Sequence, residues 1–321
     1  MQSTLLTAQE VADMLKITKN TVYELVKRGE IGSCKVGKKI RIDLADVQAF
    51  TGQTRTVAQK THSNPVDFGQ IESKNLADDS CISGMIVSGQ DIALDMIVDR
   101  LNQRFEGLNA CRSAMGSYNS IYALYQGKVN IATSHLWDSE LDEYNVSYVT
   151  KMMPGIPVLI IRMVRRNQGF YIKEGNPQNI TGWQDLLRED IILANREKGS
   201  GTRVLLDEKL RQMGVYGSSI KGYNKEFYSH LAVASAVVKN EANVGLGSEK
   251  GVQQVSGLEF IKLQTESYDL IMRMEDAQKP QYKAVLEIMA SGGYKRDLQS
   301  IGCYDTSETG KLIYKSKFNI F

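Results

Sequence analysis

The pattern of apolar and polar positions changes character near residue 80. In the first fifty residues, Val11, Met14 and Leu15 fall at helical spacing behind Thr7-Ala8-Gln9-Glu10. This is a Thr-x-x-Glu arrangement, in which each of the two side chains can cap the other's backbone. The periodicity stops at Lys16-Ile17. Thr18 then predicts a second helix that carries Val22, Leu25 and Val26 inward and ends at Gly29, a residue suited to left-handed termination. Ile31–Val36 and Lys39–Ile42 alternate around Gly37-Lys38, which predicts a β-hairpin with a basic tip. Asp43 opens a third helix whose Leu44, Val47 and Phe50 can close a small core.

Residues 54–80 are polar and follow neither period, so they read as a linker. From Cys81 onward strand and helix patterns alternate. Ile82–Val87, Ala110–Met115 and Val129–Thr133 read as strands, and Asp91–Phe105 and Ile121–Tyr125 as helices. A longer strand, Pro157–Arg165, leads into a second set: Trp183–Leu187, Ile191–Ala194, Thr202–Met213, Leu231–Lys239 and Val244–Leu246. Another strand at Tyr268–Met274 and a helix at Gln281–Met289 follow. This order predicts an α/β region, residues 81–321, whose sheets are parallel and flanked by helices. Two lobes joined by two crossing strands account for it.

Composition adds bounds. A chain of 321 residues with 42% hydrophobic and 24% charged positions is expected to form more than one core. The net charge of +2 is not that of a polyanion binder of the histone or ribosomal kind, so any contact with nucleic acid must come from a local patch. Cys34, Cys81, Cys111 and Cys303 form no Cys-x-x-Cys pair, and reduced thiols are expected rather than a metal site or a disulfide framework. The N-terminus has no leader pattern and no apolar run is long enough to span a bilayer, from which a cytoplasmic location without a membrane partner is expected.

Two short helices joined by a tight turn meet the requirement of a helix-turn-helix, in which the second helix enters a DNA groove. Its outward residues include Lys19, Asn20, Tyr23, Lys27 and Arg28, which suit phosphate and base-edge contacts, although a merely solvated face has the same composition. The stretch TAQEVADMLKITKNTVYELVKRGEIGSCKVGKKIRIDLADVQAF resembles the excisionase-like branch of MerR-type winged helix-turn-helix domains. The resemblance implies a DNA-binding domain over residues 1–53, with Thr18, Lys19, Asn20, Thr21, Tyr23 and Lys27 on the groove-facing helix. It places Lys38, Lys39 and Arg41 on a wing beside the backbone or minor groove.

In open α/β sheets ligands sit beyond the carboxyl ends of strands, where loops feed helix N-termini. The loops in that position are Ser88-Gly89-Gln90-Asp91, Met115-Gly116-Ser117-Tyr118 and Asn195 to Arg203. Within the last, Gly199-Ser200-Gly201-Thr202 can bring amides and hydroxyls to an anion, or can serve only as a tight helix cap. The segments SGQDIALDMI, GSYNSIYALYQGKVNIATSHLWD, NREKGSGTRVLLDEKL and YSHLAVASAVVKNEANVGLGSEKG resemble periplasmic-binding-protein-like domains related to the molybdate and tungstate binding proteins.

This resemblance implies a two-lobed type II fold closing on a small oxyanion, molybdate or tungstate foremost. Ser88, Ser117, Ser200 and Thr202 would donate hydroxyls, with amides at Gly89, Tyr118 and Gly201. Gln90 stands where a smaller residue is expected. Arg203 can grip an anion or bridge to Asp207 one turn on, and His135 and His230 can line the cleft or serve as cap and core. Tyr118 and Trp137 can wall the pocket or fill the core. No catalytic triad, metal cluster or complete Walker loop is visible, so an enzyme is not expected, and no cofactor beyond the oxyanion effector is implied. The reading is a ligand-responsive regulator acting on double-stranded DNA as a homodimer or higher oligomer. Its alternatives are an architectural factor of excisionase type and a sensor of a small organic carboxylate.

Overall fold

The computed structural model describes residues 5–15, 18–27, 31, 33–36, 39–43, 47 and 84–317. The chain divides into two compact units, residues 1–77 and 78–321. The expected linker, 54–80, lies outside the described residues, as do Arg28, Lys38 and most of the third helix expected from Asp43 onward.

In the first unit, helices Ala8–Leu15 and Lys19–Lys27 pack beside a small sheet. Its central strand, Lys39–Asp43, pairs antiparallel with Leu5–Thr7 on one side and Cys34–Val36 on the other. The reciprocal cap is formed: the Thr7 amide donates to Glu10 Oε2 at 2.7 Å, and the Glu10 amide donates to Thr7 Oγ1 at 3.2 Å. Thr18 caps the second helix by accepting from the Thr21 amide at 3.3 Å. Ala8, Val11, Ala12, Val22, Leu25, Ile31, Ile42 and Val47 form the core. Met14, expected inside, is 52% exposed, because Ala8, Val11 and Ala12 define the inward stripe. The edge strand Leu5–Thr7 was not expected from the pattern.

The second unit is built on two 16-residue strands, Val158–Lys173 and Leu258–Arg273, paired antiparallel along their whole length. Each strand runs through both lobes. On one end they continue into parallel strands Ile131–Ser134, Ile86–Ser88 and Cys111–Ser113, and on the other into Val244–Ser248, Leu193–Arg196 and Glu226–Phe227. Helices cover both faces of each lobe, and separate apolar clusters fill the layers. The crossing strands are apolar where they pass through each core and polar between, over Arg165–Gln168 and Gln264–Ser267. That polar middle lies between the two lobes.

The hairpin Trp137–Asp138 with Glu143–Tyr144 and helices Val146–Met152 and Gly292–Ile301 complete the lobe that contains Ile86–Ser88. Among the described residues Cys111 and Cys303 are free thiols, and no helix is long and apolar enough to cross a membrane.

Candidate functional site, a cleft at three helix N-termini

A small cleft, with a free volume of about 20 Å³, lies between the lobes of the second unit. Its lining includes Gln90, Ser117, His135, Ser200, Gly201 and His230, six residues expected from sequence, together with Asp91, Thr133, Arg166, Arg196 and Tyr268. Ser117, Gly201 and His230 are each the first residue of a helix: Ser117–Tyr125 in one lobe, Gly201–Gln212 and His230–Val238 in the other. Unpaired amides and the positive ends of these helix dipoles therefore converge on one space. The amides of Ser117 and Gly201 make no hydrogen bond among the described residues.

Two guanidinium groups stand in the cleft, each fixed by carboxylates. Arg166 Nε donates to Glu266 Oε1 at 2.5 Å, Nη1 is paired with Asp91, and the group lies 4.4 Å from the Tyr268 ring centre. Arg166 and Glu266 are neighbours across the paired crossing strands. Asp91 is held in turn by Tyr304 Oη and the Ala93 amide. Arg196 Nε and Nη2 donate to Glu197 at 2.7 and 2.8 Å. These contacts leave Arg166 Nη2 and Arg196 Nη1 without a partner among the described residues.

The two imidazoles differ. His135 Nδ1 lies 2.7 Å from Glu266 Oε2. Burial alone would raise the Glu266 pKa, but His135 and Arg166 outweigh it and hold the carboxyl at about 2, so Glu266 is ionised and Nδ1 carries the proton of that bond. His135 Nε2 has no hydrogen-bond partner among the described residues. His230 is pushed well below the ordinary imidazole value by desolvation, reinforced by Arg196, Arg166 and His135, and is neutral. Its Nδ1 is buried without a partner among the described residues.

Glycines permit the close approach of the two lobes here. A Cβ at Gly201 would stand 2.6 Å from the His135 ring, and one at Gly116 would stand 2.7 Å from the Gly199 carbonyl oxygen. Across the lobes the Tyr118 amide donates to Gly199 O at 2.9 Å, and Gln90 Oε1 accepts from Arg196 Nη2 at 2.6 Å.

Five residues expected at the ligand lie outside this lining. Ser88 is buried against Ser120, with 2.7 Å between their hydroxyl oxygens. The Gly89 amide is spent on Ser113 O, and the Tyr118 amide on Gly199 O. The Tyr118 side chain is 44% exposed. Thr202 Oγ1 accepts from Gln168. Arg203 takes the structural alternative, donating through Nε to both oxygens of Asp207 at 3.1 Å and stacking 4.0 Å from the Tyr223 ring centre. Ser200 is in the lining, but its hydroxyl serves as a helix cap, accepting from the Arg203 amide and donating to Glu197 O. Trp137 is buried, with Nε1 donating to Asp142.

Arg166 and Glu266 escaped the sequence reading because neither belongs to a loop motif. Their signal is polar residues in the middle of what prove to be long strands.

In the first unit Thr18, which caps the second helix, is exposed, as are Lys19, Asn20, Thr21 and Tyr23 on the helix itself. Lys27 ends that helix, and Lys39 and Arg41 lie on the central strand. Arg41 is half-buried, while Lys38 lies outside the described residues.

The model of the PBP superfamily domain matches residues 98–290, and that of a helix-turn-helix domain matches residues 5–55. The chain belongs to the PBP superfamily and carries an N-terminal helix-turn-helix domain. It is 37% identical over 313 residues to the uncharacterized protein YvgK of Bacillus subtilis, covering 97% of this chain and 98% of that one. A Clostridium pasteurianum protein, described as uncharacterized and lying in the 5′ region of a 2Fe-2S ferredoxin gene, is 46% identical over 110 residues, 34% of this chain and 97% of its own. Among solved structures, a Clostridium perfringens protein assigned as a phosphate ABC-transporter substrate-binding protein, with bound phosphate, superposes with a TM-score of 0.52 at 13% identity. That superposition covers 69% of this chain and 98% of the other. The likeness is one of fold.

Proposed function

We propose that this chain is a cytoplasmic, ligand-responsive transcription regulator that binds double-stranded DNA through its helix-turn-helix unit and a small oxyanion in the interlobe cleft. The observation that carries the ligand reading is the convergence of three helix N-termini from both lobes on a space that also holds two guanidinium groups pinned by carboxylates. Oriented donors that need not reorganise on binding favour an anion with several lone pairs. Ser117 Oγ accepts from the His135 amide at 3.2 Å, so its own hydrogen is available to a ligand.

Bulk charge is not the source of affinity. Arg166 and Arg196 face Asp91, Glu197 and Glu266, and the fixed donors must do the selecting. Molybdate and tungstate are the ligands put first, with sulfate, phosphate and small carboxylates as competitors. The role assigned is binding without turnover. A dimer is the natural form for a helix-turn-helix protein reading two half-sites.

Isothermal titration of the full chain with molybdate, tungstate, sulfate, phosphate and small carboxylates tests the reading. Binding of a tetrahedral oxyanion, weakened about tenfold in Ser117→Ala by loss of a hydrogen bond of about 1.5 kcal/mol, supports it. A carboxylate binding where every oxyanion fails would replace the ligand class. Binding of none would remove the sensor role.

A further inference from the structure

We infer that the hairpin 137–144 of one lobe is a clasp on the other: it grips the far end of the helix whose first residue lines the cleft, and its release lets the lobes part and sets how fast a ligand is exchanged. The clasp stands on contacts outside the cleft, while its effect on ligand exchange rests on the oxyanion reading of the site.

The helix Gly201–Gln212 has two working ends. Gly201 lines the cleft, and Glu208, Lys209, Arg211 and Gln212 in the last turns meet the hairpin of the opposite lobe. Glu208 Oε2 accepts from both the hydroxyl and the amide of Ser139, the amide at 3.4 Å. Arg211 Nη1 donates to Glu140 Oε1 at 2.9 Å, and its Nη2 donates to Ser139 Oγ at 2.6 Å and to Glu208 Oε2 at 2.9 Å. Gln212 Nε2 donates to Ser139 O at 3.3 Å, and Lys209 Nζ lies 3.9 Å from the Trp137 ring centre. The hairpin is itself held firmly. Trp137 Nε1 donates to Asp142 at 3.1 Å, and Tyr144 Oη accepts from Gln264 in the polar middle of a crossing strand.

The lobes have separate apolar cores, and most of what joins them across the cleft is polar. Besides the clasp there are Gln90 with Arg196 and Glu197, and the Tyr118 amide on Gly199 O, while Val204 adds an apolar contact to the opposite core. Polar interfaces of this kind permit relative motion of the bodies they join. Motion is also required by size. The free volume of about 20 Å³ is room for a water-sized body, so an anion with four oxygens needs the lobes to part before it can enter.

None of the clasp residues lines the cleft. A change in ligand exchange on altering them therefore acts through the position of the lobes and not through a lost ligand contact. The helix carries that change over a distance of about 15 Å from Arg211 to Gly201, at 1.5 Å per residue. Weakening the clasp lowers the closed population, and the apparent affinity falls with it.

The experiment is amide hydrogen exchange on the full chain, read by mass spectrometry with fragmentation that isolates Tyr118. The Tyr118 amide is bonded to Gly199 O of the opposite lobe at 2.9 Å, so its exchange reports parting of the lobes. Arg211→Ala removes three clasp bonds from a side chain that is 51% exposed, and it is expected to speed Tyr118 exchange about tenfold. Arg211→Lys should restore part of the protection, and amides inside helix Ala93–Arg104 should keep their native rates in both variants. Gln212→Ala provides a second, milder loss if Arg211→Ala does not fold. In stopped-flow displacement with molybdate, and separately with inorganic phosphate, the dissociation rate of whichever probe binds should rise several-fold in Arg211→Ala. Tyr118 exchange that is unprotected in the native chain, or equal in native and variant chains, overturns the clasp. Equal acceleration throughout helix Ala93–Arg104 would also overturn it, by showing general loosening. Faster Tyr118 exchange with an unchanged dissociation rate overturns the control of ligand exchange. If neither probe binds the native chain while Tyr118 exchange responds as expected, the clasp stands and the oxyanion reading fails.

Discussion

Gln90 in one lobe and Arg196 in the other meet across the cleft, with Gln90 Oε1 accepting from Arg196 Nη2 at 2.6 Å and Gln90 Nε2 reaching Glu197 Oε1 at 3.2 Å. One side chain thus reads both members of the Arg196–Glu197 pair. Its length, unexpected at this position from sequence, is what spans the gap. Gln90→Ala is expected to remove both bonds and shift the lobes toward an open arrangement. Small-angle scattering should show a larger radius of gyration for the ligand-free variant, and oxyanion affinity should fall about tenfold, corresponding to about 1.5 kcal/mol. Unchanged scattering and affinity would remove Gln90 from the closure.

Gly201 is tested by adding one carbon. Gly201→Ala places a Cβ 2.6 Å from the His135 ring, while the backbone there needs no positive φ. The expected result is a folded protein with unchanged far-ultraviolet circular dichroism and at least a tenfold loss of oxyanion affinity. Retained affinity would mean that the ring is free to move aside.

Glu266 couples the cleft to stability. It is 1% exposed and bonded to both Arg166 and His135. Its pKa is depressed to about 2 from 4.5, so its stabilisation is fully present above about pH 4.5 and is lost as pH falls toward 2. The linked stability is on the order of 3 kcal/mol. Denaturant unfolding between pH 7 and pH 3 should show this decline, and Glu266→Gln should flatten it. The variant should also be destabilised at pH 7 by roughly 3 kcal/mol, because it removes one of the two carboxylates that compensate the buried Arg166 guanidinium. An equal acid decline in variant and native chains would contradict the assignment.

Much of this architecture was legible in the pattern. The Thr7–Glu10 cap, the Thr18 cap, the hairpin and the alternation of strand and helix in two lobes all arise from local sequence. The cleft loops were legible because they join strand ends to capped helices, and Ser117, Gly201 and His230 occupy those helix starts. The cleft floor was not. The expected strand ended at Arg165, and the next began at Tyr268, so Arg166 and Glu266 looked like residues beyond a strand. They are in fact the middle of the crossing pair, paired by register across 100 residues of intervening sequence. Burial that depends on such pairing leaves no local period. Thr202 and Arg203 show the converse: a motif on the right loop whose side chains point to Gln168, Asp207 and Tyr223.

The proposal that the second helix of the first unit faces DNA is tested through salt dependence. Lys19 is exposed at the start of that helix, and its charge is expected to meet phosphate. Lys19→Ala should weaken binding to all sequences alike and reduce the slope of log affinity against log salt by about one. Asn20→Ala, by contrast, should relax base preference with little change in that slope. Indifference of both parameters to both variants would argue against this helix as the reading element.

The most direct measurement of the central claim joins the two units. A duplex selected from a random pool by the full-length protein is titrated by fluorescence anisotropy with and without saturating molybdate or whichever oxyanion the calorimetry identifies. The account predicts a change in DNA affinity of about 5- to 150-fold, matched by an equal change in oxyanion affinity when DNA is present. DNA affinity that stays the same while the cleft is demonstrably occupied would contradict it.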